Sequence, residues 1–167
     1  MSPRAILDAS GAGQGSMYHH FRGKEQLASA AIERNAEQMR AQVSADLAGP
    51  GSAVERIGRY LHREREVLKG CRFGKLVQDP DVEASEALHA AVGEMFAWLR
   101  GELATVVREE QEAGELPAGL DSARLAATIA ATLQGGYVLA RAARDVTAFN
   151  EAVDGLLDLL AAISGSA

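Results

Sequence analysis

Ser10-Gly11-Ala12-Gly13-Gln14-Gly15-Ser16-Met17-Tyr18-His19-His20-Phe21-Arg22-Gly23-Lys24-Glu25-Gln26-Leu27 is the stretch on which the fold turns. Upstream of it, Ser2 to Ala9 shows a short helical pattern with Ile6 and Leu7 apolar, Ser2 as cap and Pro3 in the first turn. Gly11, Gly13 and Gly15 then interrupt that helix, and Ser16 to Phe21 resumes a compact helical turn of polar and aromatic groups. After Gly23 a long amphipathic helix begins at Lys24. Short helix, glycine turn, short polar helix, long helix is the order of a helix-turn-helix DNA reader. A phosphate-cradling nucleotide loop is the poorer reading, because no strand precedes the glycines and no Lys-Ser/Thr pair follows them.

The hydroxyls and imidazoles of Ser16, Tyr18, His19 and His20 can donate to phosphate oxygens, and the N-terminus of the short helix points N–H groups outward. Gln14 can pair with an adenine edge. The plainer alternative makes Tyr18 and His20 the polar rim of a small core, and Lys24 an ordinary solvated residue. His19 and His20 project about 100° apart on a helix and are poor joint metal ligands. No metal site and no cofactor is expected.

The run Gly15-Ser16-Met17-Tyr18-His19-His20-Phe21, followed by Lys24-Glu25-Gln26-Leu27, resembles the signature of the tetracycline-repressor (TetR) family. The resemblance implies an all-α fold, with a DNA-reading head at 1–47 that includes the connecting helix. It also implies a ligand-binding and dimerisation body at 48–167. It places Gln14 and Gly15 towards base edges and Tyr18 and His19 on the DNA backbone, and makes Phe21 a buried anchor. Two departures stand out. Ala12-Gly13-Gln14 occupies the place of the family's Val-Ser-Lys, so one phosphate-binding lysine is missing. The family also has a complete helix before Ser2–Ala9, and the chain as given starts after it. The head is therefore expected to be less stable and more mobile than the body.

With 167 residues, 47% hydrophobic and 5% aromatic, the chain can bury a real core, and its Ala, Leu and Glu content favours helix over sheet. No strand is expected, since period-two β-branched runs are missing. A net charge of −6 excludes binding to nucleic acid through overall positive charge. The charge is uneven: Arg4, Arg22 and Lys24 face Asp8 alone near the amino end, and the acidic excess lies in the body. The single cysteine, Cys71, excludes an internal disulfide and fits a reducing cytoplasm. No apolar run approaches the roughly 20 residues of a membrane span, and no secretion signal opens the chain.

Along the body, Leu27, Ile32, Ala36, Met39, Val43 and Leu47 share one face of the connecting helix, which Gly49-Pro50-Gly51 ends. Ser52 caps a helix expected to run to about Leu68, with Val54, Ile57, Leu61 and Leu68 inward and a mixed-charge outer face that reads as solvated. Lys69-Gly70-Cys71-Arg72-Phe73-Gly74 reads as a turn carrying a thiol and a ring. By resemblance, such a Gly-Cys turn opens bodies similar to multidrug-sensing repressors. Asp79-Pro80-Asp81 marks the next helix start, with Leu88, Val92, Met95, Leu99, Leu103 and Val106 in one stripe to about Ala113. Asp121 caps a helix to about Ala143, in which Gly135-Gly136 costs about 1 kcal/mol per glycine and calls for a close neighbour. The last helix spans Phe149 to Ile163.

Candidate ligand-lining residues are Cys71, Phe73, Met95, Phe96, Trp98, Leu99, Tyr137 and Arg141. Thioether and aromatic groups adapt to flat apolar ligands, and Tyr137 with Arg141 can hold a polar end. Plain core is the commoner role for such a stripe, and for Cys71. The resemblance implies a homodimer through the last two helices, and Leu133, Gly136, Leu156 and Leu160 are the candidate contacts.

The leading reading is a ligand-responsive, DNA-binding transcriptional regulator: a cytoplasmic homodimeric repressor released from double-stranded operator DNA by a small hydrophobic effector. The alternative is a helical ligand-binding or dimerisation module that does not bind DNA in this form. An enzyme is poorly supported, since nothing resembles a nucleophile-base-orienter set.

Overall fold

The structure, a computed structural model, describes residues 23–164, and every regular element among them is helical. In order these are α1 (Lys24–Ala48), α2 (Ala53–His62), a 3-10 turn (Val67–Lys69), α3 (Arg72–Leu76), α4 (Pro80–Glu83), α5 (Glu86–Glu112), α6 (Ser122–Ala143) and α7 (Thr147–Ser164). Gln14, Gly15, Ser16, Tyr18 and His19, the Phe21 anchor and the mobility expected of the head lie outside the described residues.

Side-chain caps fix several helix starts. Ser52 and Glu55 form a reciprocal capping box at α2, and Asp79 accepts from the Asp81 N–H at α4. Ser85 accepts from Leu88 at α5, and Asp121 accepts from Ala123 and Arg124 at α6. Gly114, at φ +80°, supplies the left-handed residue just beyond the end of α5.

Two apolar clusters fill the interior. The larger joins Val43 and Leu47 of α1 to Ile57 and Leu61 of α2, Leu103 and Val107 of α5, Ile129 of α6 and Val153 of α7. The smaller lies between the first halves of α1 and α5, where Ile32 and Ala36 meet Phe73, Val82, Val92 and Met95. Met39 and Trp98 border both. Each Leu, Ile or Phe so placed contributes about 1.5–3 kcal/mol of burial.

Three expectations need correction. The α2 helix stops at His62 rather than near Leu68. There the Arg65 guanidinium turns back, donating from Nε to the Arg63 carbonyl (3.0 Å) and from Nη2 to the Tyr60 carbonyl. A side-chain donor thus takes a carbonyl that a further helical turn would have used. Val67 then takes the inward place, and Leu68 is exposed. Second, Asp79-Pro80 starts only a single turn, because Ser85 caps a new helix at Glu86. Third, the stretch read as a plain turn at 69–74 contains the start of α3.

Candidate functional site

The α1 helix runs past the segment from Arg63 to Lys75, and a cavity of about 440 Å³ opens between them. Asn35, Gln38, Met39 and Gln42 of α1 form one wall, and Tyr137 of α6 also lines the space. The opposite wall carries Arg63, Arg65, Lys69, Arg72 and Lys75 against Glu64 and Glu66. A recess of about 30 Å³, room for little more than one water, continues inward among Phe73, Met95, Phe96, Leu99 and Leu133. Met39, Arg63, Arg65, Cys71 and Tyr137 line both spaces and so form the neck between them.

The early end of α2 creates this geometry. Released from the helix, residues 63–66 cross the bundle and bring Arg63 within 3.2 Å of Asp46 Oδ2. Arg65 lies with its guanidinium carbon 5.6 Å from the Tyr60 ring centroid and 5.8 Å from that of Phe149. Its Nη1 is buried and has no hydrogen-bond partner among the described residues. Arg72 donates to Asn35 Oδ1 at 3.3 Å across the cavity, and Lys69 pairs with Glu66. That pairing holds the Glu66 carboxyl below the usual carboxylate range. Burial pushes the Tyr137 hydroxyl up, with the neighbouring Arg65 charge partly opposing it, so the phenol stays protonated at neutral pH and can donate.

Of the expected lining residues, Cys71 and Tyr137 sit at the neck, and Phe73, Met95, Phe96 and Leu99 line the inner recess. Trp98 lines neither space; it packs against both cores, with the Arg40 guanidinium 5.9 Å from its ring. Arg141 is also absent from the lining, its stem lying beside Gly70. Tyr137 therefore has Arg65, not Arg141, as its cationic neighbour at the neck. The expected greasy pocket is corrected as well: Phe73, Met95, Phe96 and Leu99 reach only the small recess, and the larger cavity is walled mostly by polar and charged side chains. Sequence reasoning missed Asn35, Gln38, Gln42 and the basic wall. The closely spaced Arg63, Arg65, Lys69, Arg72 and Lys75 were the available signal, of which Arg63 and Arg65 read as a solvated helix face and Lys69 and Arg72 as part of a turn.

The four expected dimer contacts need correction on physical grounds. Leu133, Gly136, Leu156 and Leu160 are all buried within one subunit. A Cβ on Gly136 would come within 3.0 Å of the Phe149 ring, so the neighbour that the paired glycines call for is α7 of the same chain. The outward apolar side chains of these two helices are instead Val138, Leu139 and Leu159, at 62%, 53% and 64% exposed.

Lys24, the one expected DNA contact among the described residues, opens α1 and pairs with Asp81 Oδ2 at 2.7 Å. Beside it, Ser85 donates a hydrogen bond to the Glu25 carboxylate. The first turn of α1 is thus tied to α4 and to the start of α5.

Residues 51–156 match the model of the tetracyclin repressor-like C-terminal domain, and residues 1–31 match that of the tetR family of bacterial regulatory proteins. Solved structures with a similar fold include a TetR transcriptional regulator from Chloroflexus aurantiacus. It is 29% identical, with 94% of this chain and 82% of that one covered and a TM-score of 0.78. A TetR-family regulator from Cytophaga hutchinsonii is 21% identical over 97% of this chain and 84% of its own, with a TM-score of 0.82. The regulatory protein TetR from Rhodobacter sphaeroides is 22% identical over 95% and 87%, with a TM-score of 0.81. No curated protein matches the chain.

Proposed function

The chain belongs to the TetR family of DNA-binding transcriptional regulators, and from that premise we propose that it is a homodimeric repressor released from operator DNA by a small molecule. One observation carries the ligand response: the 440 Å³ cavity uses α1 as a wall. The same helix continues directly from the segment that matches the DNA-binding family model. An occupant touching Asn35, Gln38 or Gln42 bears on the element that positions the head. Binding that favours one position of α1 over another lowers DNA affinity by the same free energy by which DNA lowers ligand affinity.

Two copies would pair through the outward faces of α6 and α7, giving two reading helices for two half-sites. No helix among the described residues is long and apolar enough to cross a membrane. The role is regulatory rather than catalytic, exercised where the chromosome lies, in the cytoplasm. The test is fluorescence anisotropy of a labelled duplex selected from a random pool by the protein. Binding that weakens steeply with salt, and a cavity ligand that lowers it several-fold, support the reading. A duplex affinity that no cavity ligand alters refutes the ligand response.

A further inference from the structure

The charge of the cavity is opposite to that of the protein. The chain carries a net charge of −6, yet its cavity wall gathers five cationic side chains against two carboxylates. Part of that charge is internally matched: Arg63 by Asp46, and Lys69 by Glu66. Lys75 and Arg65 have no carboxylate partner among the described residues. Arg65 is the more demanding of the two. Its Nε and Nη2 are spent on backbone carbonyls, and its buried Nη1 has no hydrogen-bond acceptor among the described residues. A buried, unsatisfied charged donor is costly, and an anion at the neck removes that cost.

We infer that the cavity takes a small polar organic anion, its carboxylate or phosphate seated at the neck beside Arg65 and Tyr137, with the rest of the molecule among the amides of α1. Asn35, Gln38 and Gln42 supply donors and acceptors for a hydroxylated or amide-bearing body, whereas a long apolar tail finds only the 30 Å³ recess. The positive wall in an acidic protein also focuses anions towards the opening. Carboxylate and phosphate share the relevant chemistry, charged oxygens that accept from a guanidinium and a phenol. The inference names the effector class for the reading above, and rests on that reading only for the consequence on DNA.

The test is calorimetric titration and thermal shift on the full chain, with probe sets that share a body and differ in head. One set is benzoate, phenyl phosphate, benzyl alcohol and benzylamine; another is succinate, glycerol 3-phosphate, butanediol and putrescine. Anionic members should bind and raise the melting temperature, and the alcohols and amines should not. Arg65→Gln and Lys75→Gln should each weaken anion binding about tenfold or more. Lys75 is exposed, so its variant keeps the test valid if Arg65→Gln unfolds. Alcohols or amines binding as well as the anions, anion binding that survives both substitutions, or no binding by any member would each overturn the inference. Anions that bind through Arg65 yet leave duplex affinity unchanged would uphold this site and refute the ligand-response reading. A neutral compound that releases the duplex would do the reverse.

Discussion

Gly135 and Gly136 are neighbours in sequence and opposite in environment. A Cβ at Gly135 meets nothing within 4 Å, whereas one at Gly136 comes within 3.0 Å of the Phe149 ring. Phe149 is 3% exposed and its ring packs at a tilt against Tyr137, centroids 5.1 Å apart, so it has little room to retreat. Gly135→Ala should stabilise the protein by about 1 kcal/mol through helix propensity. Gly136→Ala should destabilise it by about 1–2 kcal/mol, overpacking exceeding the same propensity gain. Urea denaturation of the two variants decides this, and a gain in both would mean that α6 and α7 part easily. Tyr60 offers a second residue-scale test. Burial raises its hydroxyl well above the ordinary tyrosine value near 10, with Arg65 and Arg63 opposing. The folded state then holds its proton where the unfolded chain has lost it, so stability is fully present below pH 10 and falls as pH rises beyond it. Tyr60→Phe should flatten that alkaline decline; an unchanged slope would assign it elsewhere.

At the scale of elements, caps make a direct prediction. Asp121 accepts from both Ala123 and Arg124 at 3.0 Å, and Asp121→Ala should cost about 1 kcal/mol. A loss near zero in urea denaturation would mean that tertiary packing alone sets the start of α6. How much was legible follows the same line. Helices α1, α6 and α7 could be read from apolar spacing bounded by Lys24, Asp121 and Gly49-Pro50, because local residues determine those ends. The end of α2 could not, since no glycine or proline marks it. Arg65 ends it by a side-chain contact that exists only once the segment has turned. That break also supplies the basic wall of the cavity, so missing it hid the site's chemistry. Apolar lining such as Met95 and Leu99 was legible because it lies on a buried stripe. Asn35, Gln38 and Gln42 look in sequence like any solvated positions on a helix. Leu133 and Leu160, which the resemblance assigns to a second copy, are buried within one subunit: periodicity reports which face is buried, not which neighbour buries it.

Over the whole molecule, the proposed response needs two links between what one subunit senses and what a pair does. If the outward apolar residues of α6 and α7 join two copies as proposed, Leu159→Glu with Val138→Lys should yield a monomer by sedimentation and abolish binding to a two-half-site duplex. A dimer that survives both changes would place the interface elsewhere. The other link is the tie between the first turn of α1 and α4. Lys24 sits 2.7 Å from Asp81, both about half exposed, so solvent screens the pair and it adds little to stability. Its weight lies in what Lys24 otherwise does. In the proposed reading the Lys24 amine meets a DNA phosphate only by leaving Asp81, which follows Lys75 of the cavity wall by six residues in the chain. Asp81→Asn should therefore leave the urea midpoint nearly unchanged, raise duplex affinity several-fold and steepen the salt dependence by about one phosphate contact. Lys24→Gln should weaken binding and shrink the gain from the Asp81 substitution, since the two side chains are paired. If Asp81→Asn raises affinity as much in the Lys24→Gln background as alone, the carboxylate acts on DNA independently of Lys24 and the tie plays no part in release.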